Sequence, residues 1–145
     1  MKKFGVFAAT ALAIAVFALT PSSAKAQSYS GTWEITEDVT FPFSTGVSTY
    51  CMKLVDNGSE GFPHSGSATL NGNGISNLFG GFQVINGQFV AIFLVPDGGS
   101  GELDTQIFGG PASKGKIGNG WGLEGFNNFS GTATFVKKSS CEASQ

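Results

Sequence analysis

Phe82-Gln83-Val84-Ile85-Asn86-Gly87-Gln88-Phe89-Val90-Ala91-Ile92-Phe93-Leu94-Val95 consists of two apolar arms joined by Asn-Gly. That dipeptide between apolar segments is the strongest short-range signal for a β-hairpin, because the tight turn needs positive φ at both central residues. The second arm is apolar on both faces, so it predicts a strand that is covered on both sides, lies in a subunit contact, or faces lipid. Pro96-Asp97-Gly98-Gly99-Ser100-Gly101 then turns the chain again.

The same grammar extends in both directions. Trp33, Ile35, Val39, Phe41 and Phe43 alternate with Glu34, Thr36, Asp38 and Thr40, giving one apolar and one wet face at period two. Glu37 interrupts the apolar set and predicts a bulge or the end of the first strand. Tyr50, Met52 and Leu54 form the next inward set, with Cys51 and Lys53 opposite, before the turn Asp56-Asn57-Gly58. Ser67–Leu70 reads as a short strand ending in Asn71-Gly72-Asn73-Gly74. Leu103–Phe108 follows the central hairpin, with Asp104 and Gln106 opposite Leu103, Thr105 and Ile107. A Gly-rich stretch carries Lys116, Ile117, Trp121 and Leu123, and the last strand runs from Phe129 to Val136, with Phe129, Ala133 and Phe135 on one side and Ser130, Thr132 and Thr134 on the other. No segment after residue 26 has a useful apolar period of 3.6, and Gly and Pro interrupt every candidate helix. About eight short antiparallel strands predict an all-β fold, an up-and-down β-barrel with a β-sandwich as the alternative. Sequential hairpins favour the barrel, since closure also hides the edge strands.

The N-terminus has a different character. Lys2 and Lys3 precede an apolar run from Phe4 to Leu19, followed by Pro21 and the small-residue pattern Ala24-Lys25-Ala26. This predicts a secretory signal peptide over residues 1–26, a single β-barrel domain over 27–145, a secreted or periplasmic location and no membrane span once the leader is removed. Losing Lys2, Lys3 and Lys25 takes the formal charge from −2 to about −5. Only 12% of residues are charged, while 22 are Gly and 14 are Phe, which describes a folded, turn-rich domain rather than a disordered one. The chain has no Arg and its only basic pair is Lys137-Lys138, so nucleic acid is not an expected partner. Cys51 and Cys141 form an even pair in the exported part, most simply a disulfide that closes a long loop.

Gly31-Thr32-Trp33, at the start of the first strand, resembles the Gly-x-Trp signature of the calycins, the group that contains lipocalins, avidins and fatty-acid-binding proteins. It is also similar to the opening of small secreted bacterial protease inhibitors built on such barrels. The calycin resemblance implies structural roles for Gly31 and Trp33, with the Trp closing one barrel end and a basic residue, Lys137 or Lys138, packing across it. It also implies a disulfide tying a barrel strand to the C-terminal segment, as Cys51–Cys141 would.

Few residues carry catalytic chemistry. His64, the only histidine, sits among Pro63, Ser65 and Gly66 and reads as an exposed turn; no nucleophile elbow accompanies it. Zinc would need more His or Cys ligands. Asp97–Asp104 is oxygen-rich but departs from calcium-loop spacing, and Glu34, Asp104 and Glu124 are carboxylates whose separation the sequence does not fix. No enzyme activity, cofactor or metal is expected. Trp121, flanked by glycines where a ligand can approach closely, heads the candidate ligand-binding set, with Tyr50, Phe82 and Phe93. The surplus of Phe points to a non-enzymatic barrel that binds a small apolar molecule. The alternative is a secreted protein-binding module, such as a protease inhibitor or surface adhesion protein, with a homo-oligomer through Phe89–Val95 as a further expectation. An outer-membrane barrel fits less well, because its strands need about 9–11 residues.

Overall fold

The structure is a computed structural model that describes residues 27–57, 64–96, 103–125 and 128–141. The segment 1–26, most of 97–104 and the residues between 57 and 64 lie outside the described residues. Nine strands follow in chain order: β1 (Gly31–Phe41), β2 (Gly46–Asp56), β3 (His64–Gly72), β4 (Ile75–Ile85), β5 (Gln88–Pro96), β6 (Leu103–Ser113), β7 (Lys116–Ile117), β8 (Gly120–Glu124) and β9 (Phe129–Lys138). There is no helix among the described residues.

Each strand pairs antiparallel with its ring neighbours in the order β5-β4-β3-β2-β1-β9-β8-β6, and the β5–β6 ladder joins the two ends. The result is a closed eight-stranded up-and-down barrel, with β7 as a two-residue excursion paired to the end of β6. Closure excludes the sandwich. It also follows from local chemistry, because three tight turns bring successive strands back at once. Asn73-Gly74, Asn86-Gly87 and Lys114-Gly115 all place both residues at positive φ, between 50° and 76°. Such turns match the natural twist of the flanking strands.

Alternation then sorts the side chains. Trp33 and Ile35 of β1, Tyr50, Met52 and Leu54 of β2, Phe89, Ala91 and Phe93 of β5, Phe108 of β6 and Phe135 of β9 all point inward and are buried. Phe108 lies at the centre, with edge-to-face contacts to Tyr50, Phe93 and Phe135 at centroid distances of 5.5, 6.4 and 6.5 Å. Thr32, Glu34, Thr36 and Asp38 of β1 point outward. The outer wall is thus polar along β1, whereas β4 and β5 expose Phe79, Ile92 and Leu94. The strands themselves are longer than the sequence patterns implied, mostly 9–11 residues.

Several expectations need correction. β1 does not end or bulge at Glu37; it runs to Phe41, and its irregularity against β9 lies between Val39 and Phe41. Past that irregularity the inward phase is lost, so Phe41 and Phe43 are exposed rather than core residues. His64 is not in a turn but opens β3, half-buried, with Nδ1 3.2 Å from Asp56 Oδ2 and its ring against Tyr29. The doubly apolar β5 has one covered face: Ile92 and Leu94 point outward and are exposed.

Cys51 of β2 is disulfide-bonded to Cys141 beyond β9, across 90 residues of sequence, with Cα atoms 5.7 Å apart. This is compatible with an oxidising compartment. The bond fixes the end of β9 beside β2 and so braces β1 between them. Replacing both cysteines by Ser should cost up to about 4 kcal/mol and lower Tm by roughly 10 °C or more. Thermal unfolding followed by circular dichroism checks this; an unchanged Tm contradicts it.

Candidate functional site

The two barrel ends differ. At the end where β1 begins, Trp33 Nε1 donates to the Tyr29 carbonyl at 3.0 Å, and Lys137 Nζ stands 5.4 Å from the Trp33 ring centroid. Lys138 instead pairs with Glu34 on the outer wall at 3.3 Å. Indole, phenol and ammonium stem together plug this end.

At the other end the interior is polar. Glu37 of β1 is only 2% exposed and Gln106 of β6 only 4%. Their side chains meet inside the barrel, where Gln106 Nε2 donates to Glu37 Oε2 at 3.3 Å. The strands between them make this reach possible. β9 and β8 contribute small inward residues, Ala133 and Gly122, and a Cβ at position 122 would overlap the Glu37 carboxylate. Tyr50 of β2 hydrogen-bonds to Glu37 from the other side, and Asn73 Nδ2, in the β3–β4 turn, donates to the Tyr50 hydroxyl at 3.4 Å. Glu124, half-buried on β8, is the register partner of Gln106. The floor beneath is the Tyr50–Phe108–Phe93 stack.

Burial pushes the Glu37 carboxyl up to about 7. The Tyr50 hydrogen bond opposes this rise, the negative charge of Glu124 adds to it, and the Gln106 hydrogen bond opposes it again. Burial likewise raises Tyr50; its bond from Asn73 opposes the rise, and the charges of Glu37 and Glu124 add to it. Near neutral pH Glu37 therefore exchanges between a carboxylate, which only accepts hydrogen bonds, and a carboxylic acid, which also donates one.

Of the residues expected to bind a ligand, Tyr50 belongs to this polar cluster and Phe93 to its floor. Phe82 is buried lower down against Phe89, at 6.0 Å. Trp121 does not join them: its indole lies on the outer wall against the backbone of Gly109 and is 43% exposed. Of the candidate carboxylates, Glu34 faces the outer wall, whereas Glu124 faces the cluster and Asp104 lies on β6 two residues before Gln106. Among the described residues no group of His, Cys, Asp and Glu could hold a metal ion. Glu37 and Gln106, the two residues that define the site, had a signal in the sequence. Glu37 is two residues from both Ile35 and Val39, in phase with the inward set, and Gln106 is in phase with Phe108.

Comparison with protein-family models, curated proteins and solved structures finds no match to this chain. The closed eight-stranded antiparallel ring is consistent with a calycin-like barrel.

The Glu37 proton has a consequence for stability. An unfolded Glu releases its proton near 4.5, whereas in the fold Glu37 holds it up to about 7. Across that window the folded state binds more protons, so this group's contribution to stability falls as pH rises, by at most about 3 kcal/mol. Glu37→Gln keeps the shape and the polar contacts without the titration. Denaturant unfolding from pH 4.5 to 8 should show wild type losing stability relative to Glu37→Gln as pH rises. A difference independent of pH contradicts this.

Proposed function

We propose that this chain is an exported, non-enzymatic barrel of calycin type that binds a small, mainly apolar molecule at the Glu37 end. The supporting observation is the buried Glu37–Gln106 contact in an interior otherwise made of aromatic and aliphatic side chains. An ionisable group buried in a barrel costs stability, and an apolar side chain of similar volume would serve the fold at least as well. Apolar surroundings with a few convergent polar groups are the usual composition of a small-molecule site. On this reading the apolar part of the ligand packs toward Tyr50, Phe93 and Phe108, and Glu37 takes a hydroxyl or amine. The Gly31-Thr32-Trp33 start supports the same reading.

Thermal-shift measurements with a panel of fatty acids, sterols, retinoids and biotin test it. At least one compound should raise Tm, by an amount that grows with its concentration, and Glu37→Gln should reduce that rise. Indifference to the whole panel, in a protein whose interior also excludes an apolar dye, contradicts the proposal.

A second reading has its own observation. Phe79, at 76% exposed, lies with Ile92 and Leu94 on the outer face of β4 and β5, around a shallow depression floored by Gly80 and Gly81. The hairpin from Ile75 to Pro96 has no charged residue. This wall favours a protein contact, including a homo-oligomer, made through the outward residues of β5 rather than through Phe89 and Phe93. Light scattering at increasing concentration should then show a dimer that Ile92→Asp abolishes; a monomer at every concentration contradicts it.

A further inference from the structure

The plugged end of the barrel carries a lysine-rimmed cavity. A surface cavity of about 630 Å³ opens between the N-terminal segment, the β6–β7 turn and the end of β9. Buried Trp33, Ile117 and Phe135 lie beneath it, half-exposed Val136 lines it, and its rim carries Lys114, Lys116 and Lys137. After residue 26 the chain has only five lysines, Lys53, Lys114, Lys116, Lys137 and Lys138, against ten carboxylates. Three of the five converge on this one cavity, and among the described residues no carboxylate lines it. Glu37, Asp104 and Glu124 lie toward the other end of the barrel, while Asp56 and Glu34, at the plugged end, face His64 and Lys138 rather than the cavity.

The backbone adds an independent observation. Three hairpin turns have the same positive-φ conformation at both central residues. Two of them use Asn at the first position, Asn73 and Asn86, and Asn tolerates it well. The third uses Lys114, at φ 50°, where a long L side chain is disfavoured and Asn would relieve the strain. The one turn with a poorly suited residue is the turn that delivers an ammonium group to the cavity rim. Backbone strain kept at a ligand-facing position points to function.

We propose that this cavity binds a small amphipathic organic anion. Its apolar body lies against Val136 and the lysine stems, above buried Trp33, Ile117 and Phe135, and its sulfonate or carboxylate is held by Lys114, Lys116 and Lys137. The volume falls within the range of small-molecule sites. Lys137, packed across Trp33, contributes a charge already fixed in place by the ring beneath it.

The test uses 1-anilinonaphthalene-8-sulfonate as the anionic probe and N-phenyl-1-naphthylamine as its neutral counterpart, titrated by fluorescence against the folded chain. The sulfonate should bind saturably at one site. Lys114→Asn should weaken it roughly threefold and the double variant Lys114→Asn, Lys116→Ala roughly tenfold, in line with single exposed charge contacts. Lys53→Ala, on the outer wall of β2, should leave it unchanged. Lys114→Asn should also raise Tm, because it relieves the turn while removing the charge. Unchanged affinity in the double variant overturns the proposal, as does equal affinity for the neutral probe. This result is separable from the Glu37 site, since none of these lysines lies at that end.

Discussion

The structure depends on the β5–β6 ladder, which turns a meander of hairpins into a ring. In an open sheet one face can meet water and a misplaced side chain has somewhere to go. In a ring of eight strands every second residue enters a confined interior, and a one-residue slip exchanges the whole set. The phenylalanines meet that constraint together. Phe89, Phe93 and Phe108 are wholly buried, and Phe135 reaches two of them edge-on. Once the ring is closed in this register, Glu37 has the same phase as Ile35 and Val39 and is buried with them. The polar cluster is a consequence of closure acting on one carboxylate.

The two ends of the ring are built to different purposes. Around Trp33 the interior is plugged by aromatic packing, a buried indole hydrogen bond and the Lys137 stem, with the disulfide holding β9 beside β2. Around Glu37 the small residues Ala133 and Gly122 leave space for polar groups from β1, β2 and β6 to meet. Glu37, Asp104 and Glu124 lie toward one end, and Lys114, Lys116 and Lys137 line a surface cavity at the other.

Much of this was legible in the sequence because hairpins announce themselves locally. Asn86-Gly87 fixed its turn and the registers on either side, and the alternation of Tyr50, Met52 and Leu54 or of Ala133 and Phe135 predicted which side chains are buried. What was not legible depends on the ring as a whole. Hydropathy treats Glu37 as an interruption, although its phase is inward, because a carboxylate becomes an interior residue only when partners such as Gln106 and Tyr50 arrive from strands far along the chain. Phe41 and Phe43 failed in the opposite way: they look like core, but the irregularity after Val39 releases them from the inward phase. Trp121 suggested a ligand contact because of its glycine neighbours, whereas Gly109, from a different strand, provides the flat surface on which the indole rests. The lysine-rimmed cavity was invisible for the same reason, since Lys114 and Lys137 are brought together only by the barrel.

The central claim is that closure forces Glu37 into the barrel interior, where burial controls its proton. Carbon-13 NMR of the Glu37 side-chain carboxyl, followed through a pH titration of the folded protein, measures this directly. A midpoint near 7 is the predicted result. A midpoint at the ordinary carboxylate value near 4.5 would place the group in water and contradict the account.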